Sequence, residues 1–328
     1  MDAGVFVLGM HRSGTSAVTR VISLLGLEPP HQDDLLTPTA ENPKGYWESA
    51  SLVAFNERIL KTLGSDTGCP VGLDLGWEND PRLDPLRDPA RHLIADVFPR
   101  PPWIFKDPRL SLTFGFWRAV LSVRPVVVVV SRNPLEILVS RLGEEREDER
   151  IYLLAVWERY VRRALAQIVG LPVFVTTYPA LLGTPLPWCE QMASFLTGAG
   201  VDAARPLDGD AVQSEVLRFV DRGLRHSEFA RADFLAHRDV SDAQGKLLCA
   251  LEDLQGPHES FVIPALPEET PTTSALLRER HRTLEVRKEV RRLLEAERRR
   301  RWQWRLRNSR YGDAARPIYA TLRRLRHQ

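Results

Sequence analysis

Val5-Phe6-Val7-Leu8-Gly9-Met10-His11-Arg12-Ser13-Gly14-Thr15-Ser16, continued by Ala17-Val18-Thr19-Arg20-Val21-Ile22-Ser23-Leu24-Leu25, is the stretch that decides the fold. Four apolar residues run into a loop bounded by glycines, and the loop runs into a segment with apolar residues at helical spacing. That order reads as a short buried strand, a tight loop and a helix. Such a loop aims several backbone N–H groups at one spot and adds the positive end of a helix dipole, which together hold phosphate. The spacing from Gly9 to Gly14 is that of a nucleotide-binding P-loop. The residues after it are not: Thr15-Ser16 stand where the motif has Lys and then Ser or Thr, and the cation comes earlier, at Arg12. The loop is expected to cradle a phosphate without the usual lysine-and-magnesium arrangement.

Outward from this loop the chain repeats the same grammar. Val126-Val127-Val128-Val129-Val130 is an unbroken β-branched run, the mark of a strand buried on both faces, as in a parallel sheet. Trp103-Ile104-Phe105 and Pro172-Val173-Phe174-Val175-Thr176 read as two further strands, and helical spacing recurs over 52–63, 112–121, 135–142 and 151–169. Strands alternating with helices imply an α/β fold, a three-layer P-loop-like parallel sheet flanked by helices, with a helical C-terminal extension. Ligands of such sheets sit beyond the carboxyl ends of the strands. Those ends carry the first loop, Lys106-Asp107, Ser131-Arg132 and Thr177-Tyr178, four polar clusters expected to converge on one crevice. Residues 65–90, rich in Gly, Pro and Asp, read as a long irregular insert.

Composition sets the outer limits. With 328 residues, 43% hydrophobic and 27% charged, the chain can bury a sizeable core without disulfides or metals. Cys69, Cys189 and Cys249 lie far apart with no metal-ligand spacing, which fits reduced thiols and a cytoplasmic location. The first strand opens at the N-terminus, leaving no room for a signal peptide, and no apolar run approaches a membrane span. Charge is uneven: residues 278–328 hold 18 Lys+Arg against 6 Asp+Glu, so a net of +12 follows a body of net −10. The expected division is an α/β domain over 1–262, a Pro/Thr-rich linker over 263–273 and a basic helical extension over 274–328.

The order of four motifs resembles the sulfotransferases that use 3′-phosphoadenosine-5′-phosphosulfate (PAPS). These are Gly-Met-His-Arg-Ser-Gly-Thr-Ser at 9–16, Asn-Pro-Lys-Gly-Tyr-Trp-Glu at 42–48, Lys-Asp-Pro-Arg at 106–109, and Arg132-Asn133-Pro134 with Ser140 eight residues past the arginine. The match is closest to bacterial proteins with the same first loop, and it covers about residues 4–185. The resemblance implies that Arg12, Ser13, Gly14, Thr15 and Ser16 receive the 5′-phosphosulfate. It implies that Arg132 and Ser140 clamp the 3′-phosphate, that Tyr178 contacts adenine and that Lys106 contacts the transferring group. It implies PAPS as co-substrate, no metal, and a small-molecule or glycan acceptor such as a carbohydrate, glycoconjugate or secondary metabolite.

One departure concerns the base. Relatives in the cytosol carry a catalytic histidine two residues after the lysine, and Pro108 stands there. A carboxylate within hydrogen-bond reach of the acceptor hydroxyl can replace it, its pKa raised by burial. Glu48, Asp33, Asp34 and Asp107 are the candidates, with Glu48 favoured because it ends the constrained aromatic turn; Asp107 also reads as a partner of Arg109 or a helix cap. His11 is expected to pack against or orient the loop. Arg222-Gly223 with Arg225-His226 is only partly similar to a late basic stretch of the family and reads first as a solvated helix end. The acceptor is expected to bind over 28–50 and 65–90. The basic tail, ending in Arg298–Arg305 with two tryptophans, suits an anionic membrane surface, a protein partner or a second subunit as a homodimer, and nucleic acid is not inferred. A small-molecule P-loop kinase and a non-catalytic nucleotide-binding scaffold are the competing readings.

Overall fold

The computed structural model describes residues 3–142, 147–202, 210–225 and 227–307. Strand β1 (Ala3–Leu8) leads into α1 (Thr15–Leu24), and α2 (Ala50–Thr62) and α3 (Asp84–Val97) precede β2 (Trp103–Lys106). Then come α4 (Leu110–Val120), β3 (Arg124–Ser131), α5 (Pro134–Leu142), α6 (Glu147–Gln167) and β4 (Val173–Thr177). The chain continues through α7 (Tyr178–Gly183), α8 (Pro185–Gly198), α9 (Asp210–Phe219), α10 (Arg231–Leu235) and α11 (Asp242–Asp253) to β5 (Gly256–His258) and α12 (Pro271–Arg307).

The five strands form one sheet in the order β2-β1-β3-β4-β5. The first four are parallel, as the valine-rich runs require. The fifth departs from the parallel expectation: β5 runs antiparallel to β4 and is three residues long. Its central Pro257 cannot donate to a ladder, which suits a sheet edge. Successive residues of each strand feed opposite layers. Phe6, Leu8, Val127, Val129, Val173 and Val175 join the core that includes Leu52, Phe55, Phe114 and Trp157. Val5, Val7, Val126, Val128, Val130 and Phe174 join the core that includes Val18, Ile22, Trp188 and Phe195. The valine run is therefore apolar throughout because both of its faces are covered.

The expected irregular insert is more ordered than its composition suggests. Pro85 and Pro89 hide α3, yet Leu86, Ala90, Ile94 and Val97 are buried along one helical face. The preceding loop is tied to α6, where Tyr152 donates to Gly68 O at 2.5 Å and Tyr160 to Thr67 O at 3.0 Å.

The chain divides into two compact units, Met1–Leu277 and Arg278–Gln328. The stretch read as a linker is packed within the first: buried Glu158 accepts from Thr270 N at 2.9 Å and Thr273 Oγ1 at 2.9 Å, and Leu277 is fully buried. A chain ended after Leu277 keeps these bonds and this anchor. One ended after Thr273 loses the Leu277 anchor and should lose about 2–5 kcal/mol in urea denaturation. Within the second unit, side chains pair along the helix, as in Lys288–Glu285 at 2.7 Å and Arg301–Glu297 at 2.5 Å. Val286, Val290, Leu293, Leu294, Trp302 and Trp304 are exposed there. The tail beyond Arg307 lies outside the described residues. Among those described, no helix is long and apolar enough to cross a membrane.

Candidate active site

Strand order builds the site. β1 lies between β2 and β3, with Val7 opposite Lys106 on one side and Leu8 opposite Val129 on the other. Three strands thus deliver the first loop, Lys106 and Arg132 to neighbouring positions, and β4 adds Tyr178. A crevice of about 540 Å³ opens over these ends. Of the residues singled out in the sequence, Arg12, Gly14, Thr15, Ser16, Glu48, Lys106, Arg132, Ser140 and Tyr178 line it.

One end of the crevice is a set of N–H donors. Gly14 is the N-cap of α1 in the left-handed conformation, with φ 88°, no side-chain cap and no acidic residue in the first turn. The N–H groups of that turn have no acceptor within the helix and carry its positive dipole. Gly14 is required twice over: a Cβ there would come within 2.4 Å of the Tyr178 ring. Arg12 is also left-handed, at φ 70°. Its Nε donates to Ser140 Oγ at 2.8 Å, and its carbonyl accepts from Arg132 Nη1 at 3.1 Å. The guanidinium of Arg132 lies 5.3 Å from the Tyr178 ring centroid. Its Nε donates to buried Glu136 at 2.6 Å, which also accepts from Arg225 Nη2 at 2.6 Å. Burial works to raise the Glu136 pKa, but the bonds and charges of Arg225 and Arg132 hold it below the usual carboxylate range.

Beside the first turn of α1, within reach of Ser16, sits a buried ion pair. Lys106 Nζ donates to Glu48 Oε1 at 2.5 Å, Ser16 Oγ at 3.0 Å and Tyr46 O at 3.1 Å. The two side chains are only 2% and 7% exposed, so the pair is shielded from water. Burial raises the Glu48 pKa, against the pull of Lys106, and nearby Asp107 adds to the rise. An elevated carboxylate beside a crevice is the property a proton acceptor needs.

Other sequence expectations fall elsewhere. Ser13 does not line the crevice: its N–H turns back to Met10 O at 3.2 Å, and the residue borders a separate cavity of about 20 Å³ under the loop. Asp107 is also absent from the lining. Its carboxylate is taken by Asn56 at 2.8 Å and by the Arg109 backbone and side chain at 2.9 and 3.0 Å, the structural role that was its alternative. Asp34 caps α2 through Ser49 and Ser51, and Asp33 is exposed beside His31. Of the two stretches expected to hold the acceptor, 28–50 borders the crevice through residues 40–46 and 48, and 65–90 does not. Arg222 donates to Leu182 O and Gly183 O, and Arg225 reaches Glu136, so neither belongs to a merely solvated helix end; His226 lies outside the described residues. Sequence reasoning passed over Glu136 and gave Lys44, a member of the 42–48 motif, no role of its own. The i, i+4 spacing of Arg132 and Glu136 was a usable signal, whereas the bond from Lys44 Nζ to Phe219 O joins segments far apart in the chain.

His11 also borders the crevice, with its ring 6.2 Å from that of Tyr160. Burial, reinforced by Arg109, Arg141, Lys106 and Arg12, lowers its pKa from 6.5 to about 3. The unfolded chain therefore takes up a proton that the folded one refuses, and stability falls as pH drops through 6.5 toward 3. His11→Gln is expected to flatten that loss, measured as urea midpoints at neutral and mildly acidic pH.

Two solved structures that resemble this chain are sulfotransferase domains. One is the sulfotransferase domain of the olefin synthase from Synechococcus PCC 7002, with TM-score 0.40 and 17% identity over 85% of this chain and 94% of that one. The other is a sulfotransferase domain from the curacin biosynthetic pathway, with TM-score 0.37 and 14% identity over 85% of this chain and 97% of that one. No protein-family model and no curated protein matches the chain.

Proposed function

We propose that the protein is a PAPS-dependent sulfotransferase acting on a hydroxyl of a carbohydrate, glycoconjugate or secondary metabolite. The observation that carries this reading is that Arg12 and Arg132, rooted at the ends of different strands, border one crevice together with an uncapped helix N-terminus. That donor set fits a nucleotide phosphorylated at two separate positions. The first-turn N–H groups of α1 and Arg12 would hold its 5′ end, and Arg132 with Ser140 its 3′-phosphate. Ser140 accepts from Arg12 and still has its own hydroxyl proton to donate.

PAPS, when bound, supplies the sulfuryl group and the adenosine 3′,5′-bisphosphate leaving group. The chain's own residues divide the remaining work. Ser16 Oγ accepts from Lys106 Nζ at 3.0 Å and Asn42 Nδ2 at 3.4 Å, which leaves its hydroxyl proton as a donor polarised by the ammonium. Lys106 keeps positive charge where negative charge develops on the leaving oxygen. Glu48, with its elevated pKa, takes the proton of the acceptor hydroxyl. Lys44, Tyr46 and Asp221 border the same crevice and offer the acceptor polar contacts.

Calorimetry of adenosine 3′,5′-bisphosphate against ATP tests the reading. The bisphosphate is expected to bind at least about tenfold more tightly, because ATP offers no 3′-phosphate to the N–H groups of Arg132 that Glu136 and the Arg12 carbonyl leave over. Equal affinity, or tighter binding of magnesium-ATP, would turn the assignment toward a kinase.

A further inference from the structure

Trp47 is one of two non-glycine residues with left-handed backbone among the described residues, at φ 58°. For an aromatic side chain this conformation is costly, because Cβ crowds the following carbonyl, and it persists only where the surroundings impose it. The surroundings here are specific. The Arg20 guanidinium lies 4.6 Å from the indole centroid, and indole Nε1 donates to Lys44 O at 3.1 Å. The flanks are pinned as well: Asn42 Nδ2 donates to Gly45 O at 2.8 Å, the Tyr46 hydroxyl pairs with Thr39 Oγ1 at 2.6 Å, and Leu36 N donates to Glu48 O at 2.9 Å.

What the turn accomplishes is visible on either side of it. The carbonyl of residue 46 and the carboxylate of residue 48 both end on Lys106 Nζ, at 3.1 and 2.5 Å. The indole between them is half-buried on Arg20 and does not border the crevice. We propose that Trp47 is a positioning residue, whose side chain, clamped by Arg20 and Lys44 O, holds the backbone turn that closes Tyr46 and Glu48 onto Lys106. The inference deepens the reading above, since it gives the reacting pair its geometry, and its test does not need the acceptor.

The test compares substitutions that differ in their tolerance of positive φ rather than in what they remove. Trp47→Asn and Trp47→Val both delete the indole, but Asn enters the left-handed region readily and a β-branched residue does not. Each ligand-free protein is treated with acetic anhydride, and modification of Lys106 is followed by peptide mass spectrometry, with exposed Lys61 as internal reference. Lys106 in the Val variant is expected to react about tenfold faster than in the Asn variant, the population shift that a left-handed penalty of this kind produces. Should the Val variant fail to fold, Trp47→Ala against Trp47→Gly makes the same comparison. Lys106 reactivity in the Asn variant equal to that of the wild type, or equal in the two members of a pair, overturns the proposal: the first would mean that the turn holds without the indole, the second that its left-handed backbone is not what closes Glu48 onto Lys106. Binding of adenosine 3′,5′-bisphosphate to the wild type is measured alongside. Its absence from the wild type would overturn the sulfotransferase reading and leave the labelling result standing.

Discussion

Arg132→Ala is expected to weaken adenosine 3′,5′-bisphosphate binding about a hundredfold, while ATP binding changes by no more than about threefold. Two of the guanidinium's donors are already committed, Nε to Glu136 and Nη1 to the Arg12 carbonyl. Its remaining N–H groups are left for a ligand. Charge-assisted bonds to a dianionic phosphate at a shielded site contribute about 1.5–3 kcal/mol each, so losing them accounts for the predicted factor. The fold should survive the change, since Glu136 keeps its 2.6 Å bond from Arg225 and remains paired. Arg132→Lys should fall between the two proteins, because an ammonium restores charge without the planar fork. Calorimetry with both nucleotides on all three proteins reads this directly. An equal loss for bisphosphate and ATP would mean that Arg132 acts through the loop carbonyl it holds, and not on a 3′-phosphate.

The parts of this architecture that rest on local chemistry were legible in the sequence. Alternation of apolar strands with amphipathic helices implies the layered sheet, and the strand-end positions of Arg12, Lys106 and Arg132 imply the one crevice that all three line. What could not be read depended on partners distant in sequence. Ser13 and Asp107 sit in motifs whose other members border the crevice, but a backbone turn buries one and Asn56 with Arg109 engages the other. Nothing local distinguishes an inward from an outward side chain in a tight loop. Helix α3 was obscured for a different reason: Pro89 inside it lowers helix propensity, and tertiary burial of Leu86, Ala90, Ile94 and Val97 overrides it. Glu136 holds Arg132 through a helical spacing visible in the chain, but its second partner, Arg225, comes from 89 residues away.

The second large effect is expected at the Lys106–Glu48 pair. Lys106→Met should lower sulfuryl transfer by about 10²–10⁴ and also destabilise the protein by about 3–5 kcal/mol, because it takes the hydrogen-bonded partner from a buried carboxylate and leaves it the longer contact with Arg109 at 3.9 Å. The stability deficit should depend on pH with a definite sign. Burial already places the Glu48 pKa above its ordinary value of 4.5, and removing the opposing Lys106 charge moves it further in the same direction. Between 4.5 and that raised value the folded variant holds a proton that the unfolded chain has released, so its stability rises as pH falls through this window. Urea denaturation at pH values across that window would reveal the recovery, and a deficit independent of pH would remove Glu48 as its cause. Glu48→Gln alone leaves the ammonium bonded to Ser16 Oγ and Tyr46 O, a milder loss of stability with the same expected loss of turnover. The double substitution Lys106→Met with Glu48→Gln is the decisive arm. With neither charge left uncompensated, it should be more stable than Lys106→Met alone and remain inactive, separating what the pair does for the fold from what it does for the reaction.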